Sequence, residues 1–189
     1  LPGMLYGKVL RSPHAHARIK SIDTSKAEVL PGVKAVMTGS DMIQPAGRAS
    51  ELGEGAMVNF KFLSNNIMAQ DKALYKGHAI AAVAATNIHV AEHALSLIEV
   101  DYEVLTPVMD AKEAMKEDAP LVHERLKAMN SVAIRAGGVL DDDDTSKGSN
   151  TANHFEFSLG DVEQGFKDAD VIIEKETSTV AVHQGYIEP

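Results

Sequence analysis

Alternating apolar and polar positions predict a series of short strands in the first 105 residues. An extended chain points successive side chains to opposite faces, so a period of two residues indicates a half-buried strand. The expected strands are "LYGKVLRS" (5–12), "ARIKSI" (17–22), "VKAVMTG" (33–39), the apolar run Ile80–Ala85 and "EVDYEVL" (99–105). Because "IMAQDKALY" precedes that apolar run, the pair Lys76–Gly77 is expected to turn a hairpin between them.

Capping residues predict short helices between these strands. Side-chain oxygens of Ser, Thr, Asp and Asn accept hydrogen bonds from the first free N–H groups of a helix. The first helix is expected to be capped by Asp23, Thr24 or Ser25, with a Ser25–Glu28 capping box. The other expected caps are Asn87 before "IHVAEHALSLI", Asp110 with Glu113 three residues on, and Asp161 before "VEQGFKDA". Pro31 and Gly32 end the first of these helices. Strands and short helices therefore alternate, which is typical of the mixed α/β (α+β) class.

Two stretches lack a periodic pattern. Residues 43–66 contain Pro45 and several glycines and are expected to form a long surface loop. Residues 126–152, with "AGGVLDDDD", are expected to form a linker or acidic loop. A strand at 154–159, the helix after Asp161 and a long strand at 170–184 then follow.

Composition excludes several classes of function. The 189 residues carry 27 acidic and 18 basic side chains, for a formal charge of −9, which disfavours nucleic acid and anionic membrane surfaces as partners. Cysteine is absent, so there is no disulfide and no thiolate ligand or nucleophile. A cytoplasmic location is expected, since no signal peptide and no membrane span are visible. Both ends look like cuts from a longer chain.

His89, Glu92 and His93 form a literal H-x-x-E-H pattern. Two histidines four residues apart on a helix can bind zinc beside a general-base glutamate, which would make the chain a zinc-dependent hydrolase. On a helical wheel these three residues occupy the polar side, opposite the apolar half. A solvated helix face is therefore the competing interpretation.

Other candidate sites have simpler interpretations. His14 and His16 would share a face of a strand, as in a metal site, but Pro13 favours an irregular bend in which they need not converge. Asp141–Asp144 lack the spacing of a calcium loop, and Gly137–Gly138 lack the lysine and context of a phosphate loop. No lipase-type serine motif or dinucleotide fingerprint occurs in the sequence.

Three runs of the sequence resemble one family in order. "GKVLRSPHAHARIKSIDTSKAEVLPGVKAVMTGSD" and "YKGHAIAAVAATNIHVAEHALSLIEVDYEVLTPVMDAKEAM" resemble the a/b hammerhead domain in the large subunit of molybdenum hydroxylases, the xanthine dehydrogenase, aldehyde oxidase and carbon monoxide dehydrogenase family. "GDVEQGFKDADVIIEKETSTVAVHQGYIEP" resembles the entry into the molybdopterin-binding domain. His78 is a departure, because many members have glutamine after this glycine.

The resemblance implies hydroxylation of an aldehyde or N-heteroaromatic (xanthine- or purine-like) carbon with oxygen from water. A molybdenum-molybdopterin cofactor would take two electrons and pass them to [2Fe-2S] clusters and FAD on other domains or subunits. The family's catalytic glutamate would lie beyond Pro189, so no catalytic residue is expected here. Within "HQGYIEP", His183, Gln184 and Glu188 are expected near an interdomain or cofactor-side surface, with Gln184 and Glu188 as the cofactor-binding candidates.

The resulting prediction is a hammerhead domain at 1–125 with short helices packed on a mixed sheet. A linker at 126–152 and the truncated start of a molybdopterin-binding domain at 153–189 follow. The chain would be inactive scaffold that binds no metal or cofactor alone. Its partners would be the rest of the large subunit and iron–sulfur and flavin subunits, and the complete assembly is compatible with a homodimer. The residues expected at turns and in the core are Gly32, Gly77, Pro107, Ile80, Val83, Leu95 and Val100.

Overall fold

A computed structural model describes residues 1–42, 49–51, 57–124, 129–130, 148–151, 153–154, 159–180, 182 and 185. The chain divides into two compact units, Leu1–His154 and Phe155–Pro189. The domain boundaries that the sequence suggests, at 125/126 and 152/153, stay predictions.

The described elements combine short strands with short helices, as the α+β class requires. In chain order they are β1 (Tyr6–Arg11), β2 (Ala17–Asp23), α1 (Ser25–Glu28), β3 (Val33–Thr38), a 3-10 turn (Gly39–Asp41), β4 (Ala49–Glu51), β5 (Met57–Asn59), α2 (Phe60–Ile67), β6 (Lys72–Ala73), β7 (Ala79–Ala85), α3 (Ile88–Ser96), β8 (Glu99–Val104), α4 (Ala111–Ala114), β9 (Met129–Asn130), β10 (Asn153–His154) and α5 (Val162–Asp168).

Two three-stranded antiparallel sheets form the framework of the first unit. The strand order is β1-β7-β3 in one sheet and β6-β2-β8 in the other. Leu10 faces Ala81 and Val36 faces Val83 in the first sheet, while Ile19 faces Tyr102 in the second. Short additional pairs join β4 to β5 in antiparallel and β9 to β10 in parallel orientation. Each predicted strand up to Val104 is confirmed.

The predicted hairpin at Lys76–Gly77 is wrong in its pairing. Gly77 does adopt a positive φ of 90°, as a tight turn requires. However, β6 pairs with β2 in one sheet, and β7 lies between β1 and β3 in the other. The turn therefore carries the chain from one sheet to the other. The strand β7 pairs with the six-residue strands β1 and β3, whereas β6 pairs with only two residues of β2.

Helix capping follows the sequence closely. Asn87, Asp110 and Asp161 each accept a hydrogen bond from the N–H three residues on, at 2.9 Å. The Ser25–Glu28 capping box is not formed, since Thr24 is the N-cap and its hydroxyl donates to the Glu28 carboxylate. Asp23 instead accepts from the N–H of Ser25 at 3.0 Å.

The core lies between the first sheet and α3 and is lined largely by alanine. Ile80 is fully buried and Val83 is 2% exposed, while Leu95 and Val100 are partly buried against the core, in agreement with the prediction. The small side chains that let α3 approach β7 closely are Ala81, Ala85, Ala91 and Ala94. Burial of this apolar surface is the main source of stability for the first unit.

The predicted loop at 43–66 and the predicted strand over 171–180 are both wrong, at least in part. Part of the predicted loop 43–66 is regular, because β4, β5 and α2 fall in it; residues 43–48 and 52–56 lie outside the described residues. Residues 171–180, predicted as a strand, carry neither helix nor strand, and all are exposed. A strand needs a neighbour for its backbone groups, and in the described part of the second unit the regular element is α5.

Candidate functional site

A bend at Ser12–His16 packs against the Lys76–Gly77 turn and contains two buried polar side chains, those of Ser12 and His16. Ser12 is 3% exposed. Its N–H donates to the carbonyl of His78 at 2.8 Å, and its carbonyl accepts from the N–H of Gly77 at 2.9 Å. The Arg11 guanidinium also donates to the Gly77 carbonyl at 2.9 Å. The chain therefore crosses between the two sheets at two adjacent places.

His14 and His16 do not form a pair, which confirms the predicted bend. The His14 ring meets the Tyr102 ring edge-on, with centroids 5.0 Å apart. His16 is 5% exposed, and its Nδ1 lies 2.7 Å from the Thr106 carbonyl, so this nitrogen carries the proton. Burial raises the pKa of the Tyr102 phenol, and a hydrogen bond with Ser12 opposes this shift. The two histidines thus serve packing and backbone bonding.

His78 is fully buried immediately before β7 and stacks on Tyr75. The ring centroids are 4.4 Å apart and the planes differ by 18°. Its Nδ1 accepts from the N–H of Leu74 at 3.2 Å, so the neutral ring carries its proton on Nε2. Burial lowers the pKa of His78. The nearby backbone of Asn65 and Asn66 opposes that shift without reaching Nε2 in hydrogen-bond geometry.

A second polar group surrounds Lys72 in β6, which is only 7% exposed. Its ammonium donates to the Glu124 carboxylate at 2.8 Å and to the Leu121 carbonyl at 3.3 Å. His123 lies beside this pair, and burial followed by the Lys72 charge lowers the pKa of its ring. Burial alone raises the pKa of Glu124, but the Lys72 hydrogen bond and the nearby cations outweigh it, and the net shift is downward.

Asn150 is hydrogen-bonded to the chain just before Glu124. Its Oδ1 accepts from the N–H of Val122 at 2.9 Å, and its Nδ2 donates to the carbonyls of Ala114 at 3.1 Å and Pro120 at 2.9 Å. Sequence reasoning missed both Lys72 and Asn150. Lys72 stands next to Asp71 like a solvated pair, and Asn150 falls within the predicted linker, so no periodicity marks either residue.

The histidines of α3 lie on its exposed face, as the helical wheel predicts. His89, Glu92 and His93 are all exposed, whereas Ala91 and Ala94 are buried. The Glu92 carboxylate is 2.8 Å from the Lys8 ammonium, and that hydrogen bond holds its pKa below the usual value. Within the described ranges no cluster of three or more His, Cys, Asp or Glu side chains is arranged to hold a metal ion. The zinc-hydrolase alternative finds no support.

Several further candidates lie outside the described residues. These are the cofactor-side candidates Gln184 and Glu188 with the neighbouring His183, the acidic run Asp141–Asp144 and the pair Gly137–Gly138. Among the residues that the structure describes, no helix is both long and apolar enough to cross a bilayer.

Comparison with known proteins identifies the class of this fold. The family model for the a/b hammerhead domain of aldehyde oxidase and xanthine dehydrogenase matches residues 1–106. The chain belongs to this family. The resemblance of "RSPHAHARI" and "YKGHAIAAVAA" to that domain is therefore confirmed.

Individual relatives are subunits of larger enzymes. The carbon monoxide dehydrogenase large chain of Afipia carboxidovorans is 45% identical over 127 residues, which cover 67% of this chain and 15% of the relative. The nicotinate dehydrogenase large molybdopterin subunit of Eubacterium barkeri is 31% identical over 188 residues, covering 100% of this chain and 36% of the relative. The chain thus spans well under half of either protein.

A solved structure gives the same result. The Cu,Mo-CO dehydrogenase in its carbon monoxide-reduced state is 37% identical to this chain, with a TM-score of 0.58. The match covers 90% of this chain and 20% of that chain. Relatives of this chain are therefore large chains of molybdenum-containing dehydrogenases.

Proposed function

We propose that the chain is part of the large subunit of a molybdenum-cofactor oxidoreductase. The substrate would be an aldehyde or an N-heteroaromatic compound of the xanthine or purine type, hydroxylated with oxygen from water. Family membership over residues 1–106 and the collinear match of the whole chain to a large molybdopterin subunit support this proposal. Iron–sulfur and flavin subunits or domains would complete the electron path.

Within that enzyme, the described residues would act as scaffold and interdomain interface. The observation that carries this role is the exposed apolar surface of the second unit. Val162, Phe166, Val171, Ile172 and Ile173 are 51% to 85% exposed, although they line one shallow groove. A contiguous apolar surface of this kind is typical of a region that another part of a protein covers.

The residues that the structure describes do not fit a pterin site. Their buried side-chain polar atoms without a partner are single atoms of His16, Asn65, Gln70 and His78, all within the first unit. These atoms give no phosphate cradle and no charged set for a pyranopterin. When bound elsewhere in the enzyme, the molybdenum cofactor would supply the two-electron chemistry. The chain alone is expected to bind neither molybdenum nor zinc and to be inactive.

A labelling assay tests the reaction. The complete large subunit, purified with its partner subunits, is supplied with aldehydes and N-heterocycles, a dye acceptor and ¹⁸O-labelled water. Hydroxylated product that carries the label is expected. Unlabelled product, or stoichiometric zinc in the isolated chain, would contradict the proposal.

A pair of neighbouring substitutions tests the interface role. Phe166→Ser removes an apolar side chain that is 57% exposed in this chain, and Lys167→Ser changes the adjacent polar residue of α5. If another domain covers Phe166, its loss destabilises the complete protein by about 1.5–3 kcal/mol. Lys167→Ser is expected to stay within about 0.5 kcal/mol. Equal melting temperatures for the two variants in the complete protein would refute a covered Phe166.

A further inference from the structure

The sheet β1-β7-β3 has one covered face and one open face. On the covered face, Ala81, Val83 and Ala85 of β7 belong to the core between this sheet and α3. The alternate residues of β7, Ala82 and Ala84, belong to neither core cluster of the described residues and are partly exposed. Because successive side chains of a strand point to opposite faces, α3 does not cover Ala82 and Ala84.

The strand register gives the composition of the open face. Val9 and Met37 lie on either side of Ala82, and Gly7 and Ala35 lie on either side of Ala84. Residues directly opposite each other on antiparallel strands share a face. The open face therefore consists of residues that all lack a polar side chain, namely Gly7, Val9, Ala35, Met37, Ala82 and Ala84.

The second sheet of the same chain provides a solvated face for comparison. Along its edge strand β8, the exposed positions carry Glu99, Asp101 and Glu103, with partly buried residues between them. An antiparallel sheet with one face in water typically alternates in this way, whereas a continuous apolar run such as Ala79–Ala85 is typical of a strand buried on both faces. The open face of the first sheet thus has the composition of a packed surface.

The same composition indicates what kind of neighbour covers the open face. Interfaces between separately folded partners are about as polar as the rest of a protein surface, whereas permanent interfaces resemble a domain core. A face without polar side chains therefore fits a permanent neighbour. The matched part is 15% of one large-subunit relative and 36% of another, so a subunit of that size holds most of its residues outside the present sequence.

We propose that a segment of the same large subunit, outside residues 1–189, packs on the open face with large aliphatic or aromatic side chains. Ala82 lies between the longer side chains of Val9 and Met37, which leaves a shallow trough over β7. Large apolar side chains fill such a trough at the density of a protein interior. This inference rests on the proposed function, since it requires the chain to be part of a longer subunit.

Thiol labelling of the complete subunit, purified with its partner subunits, tests whether the open face is covered. Residues 1–189 contain no cysteine, so each variant carries one thiol in this region. Val9→Cys is a nearly isosteric change at a position that is 40% exposed in this chain. Asp101→Cys on the exposed side of β8 is the matched control, because β1 and β8 are both edge strands.

The labelling rate of each cysteine-containing peptide is measured by mass spectrometry, relative to the same variant in denaturant. Val9→Cys is expected to react at least about tenfold more slowly than Asp101→Cys, since a covered thiol reacts only after local opening. A smaller difference would overturn the proposal, because it would show that the open face is in contact with water.

Photocrosslinking identifies the segment that covers the open face. Met37 is replaced by p-benzoylphenylalanine in the complete enzyme, and the products are analysed by gel electrophoresis and peptide mass spectrometry. A crosslink within one large subunit, to a residue outside 1–189, is expected. A crosslink to an iron–sulfur or flavin subunit, to a second large subunit or to a residue within 1–189 would overturn the proposed neighbour, and the absence of any crosslink would indicate a solvated face.

Neither experiment measures enzymatic activity. A complete subunit that protects residue 9 but does not hydroxylate the substrates named above would contradict the proposed reaction and leave this inference in place. A subunit that catalyses the reaction but labels rapidly at residue 9 would contradict this inference alone.

Discussion

Gly39 offers a sharp test of how closely two segments of the first unit approach. A Cβ at this position would lie 2.2 Å from the Ala69 carbonyl oxygen and 2.8 Å from the Gln70 Cα. Ala69 is fully buried, and its N–H donates to the Ala79 carbonyl at 2.8 Å. The clashing atoms are therefore backbone that cannot retreat without disturbing the start of β7. Overpacking of a core typically costs 1–3 kcal/mol, and we expect Gly39→Ala to cost about 3 kcal/mol.

Substitutions at two other glycines distinguish the effect of steric crowding on stability from the effect of backbone conformation. Gly77→Ala meets nothing within 4 Å but must hold a φ of 90°, so a cost of about 1–2 kcal/mol is expected. Gly7→Ala in β1 has open space and ordinary backbone, so no loss of stability is expected.

Thermal unfolding followed by circular dichroism measures all three variants. For a chain of this size a loss of 3 kcal/mol lowers the melting temperature by roughly 6–12 °C. The expected order of melting temperatures is Gly7→Ala highest, Gly77→Ala intermediate and Gly39→Ala lowest. If Gly39→Ala melts with Gly7→Ala, the close approach of residues 39 and 69 does not exist.

Two further predictions concern polar residues of the first unit. His89→Ala and His93→Ala should each change the free energy of unfolding by less than about 0.5 kcal/mol, because both side chains are exposed; a loss of several kcal/mol in urea unfolding would show that α3 is misplaced. Asn150→Ala removes three hydrogen bonds and should cost about 2–3 kcal/mol. Asn150→Asp keeps the bond from Val122 but sets a carboxylate oxygen against the Ala114 and Pro120 carbonyls, so it should cost at least as much; a clearly smaller loss for Asn150→Asp in the same assay would contradict this account.

Local signals in the sequence predicted much of the fold. The caps Asn87, Asp110 and Asp161 can be predicted because each bonds an N–H only three residues along the chain, and the two faces of a strand alternate with a period of two. Pairing across the sheets is not local, however. Nothing in the sequence around Gly77 indicates that β6 joins β2 while β7 joins β1 and β3, so the hairpin prediction failed there.

For the polar residues too, local features were predicted from the sequence and long-range contacts were not. Pro13 correctly predicted a bend that separates His14 from His16. The burial of Lys72 beside Glu124 depends on residues 52 positions apart, which no window of sequence links. Residues 171–180 have the composition of a strand, but a strand forms only where a neighbour can accept its backbone bonds.

The chain passes between the two sheets at Ser12 and at Gly77–His78, and the closeness of these two crossings affects how the domain unfolds. Two sheets joined by independent loops would melt in separate steps, and the chain would tolerate new termini at a loop. Here each crossing supplies the hydrogen-bond partners of the other, so cutting between Lys76 and Gly77 frees backbone groups in both. We therefore expect the two sheets to unfold as one cooperative unit, and we expect a circular permutant opened at this turn to destabilise both sheets.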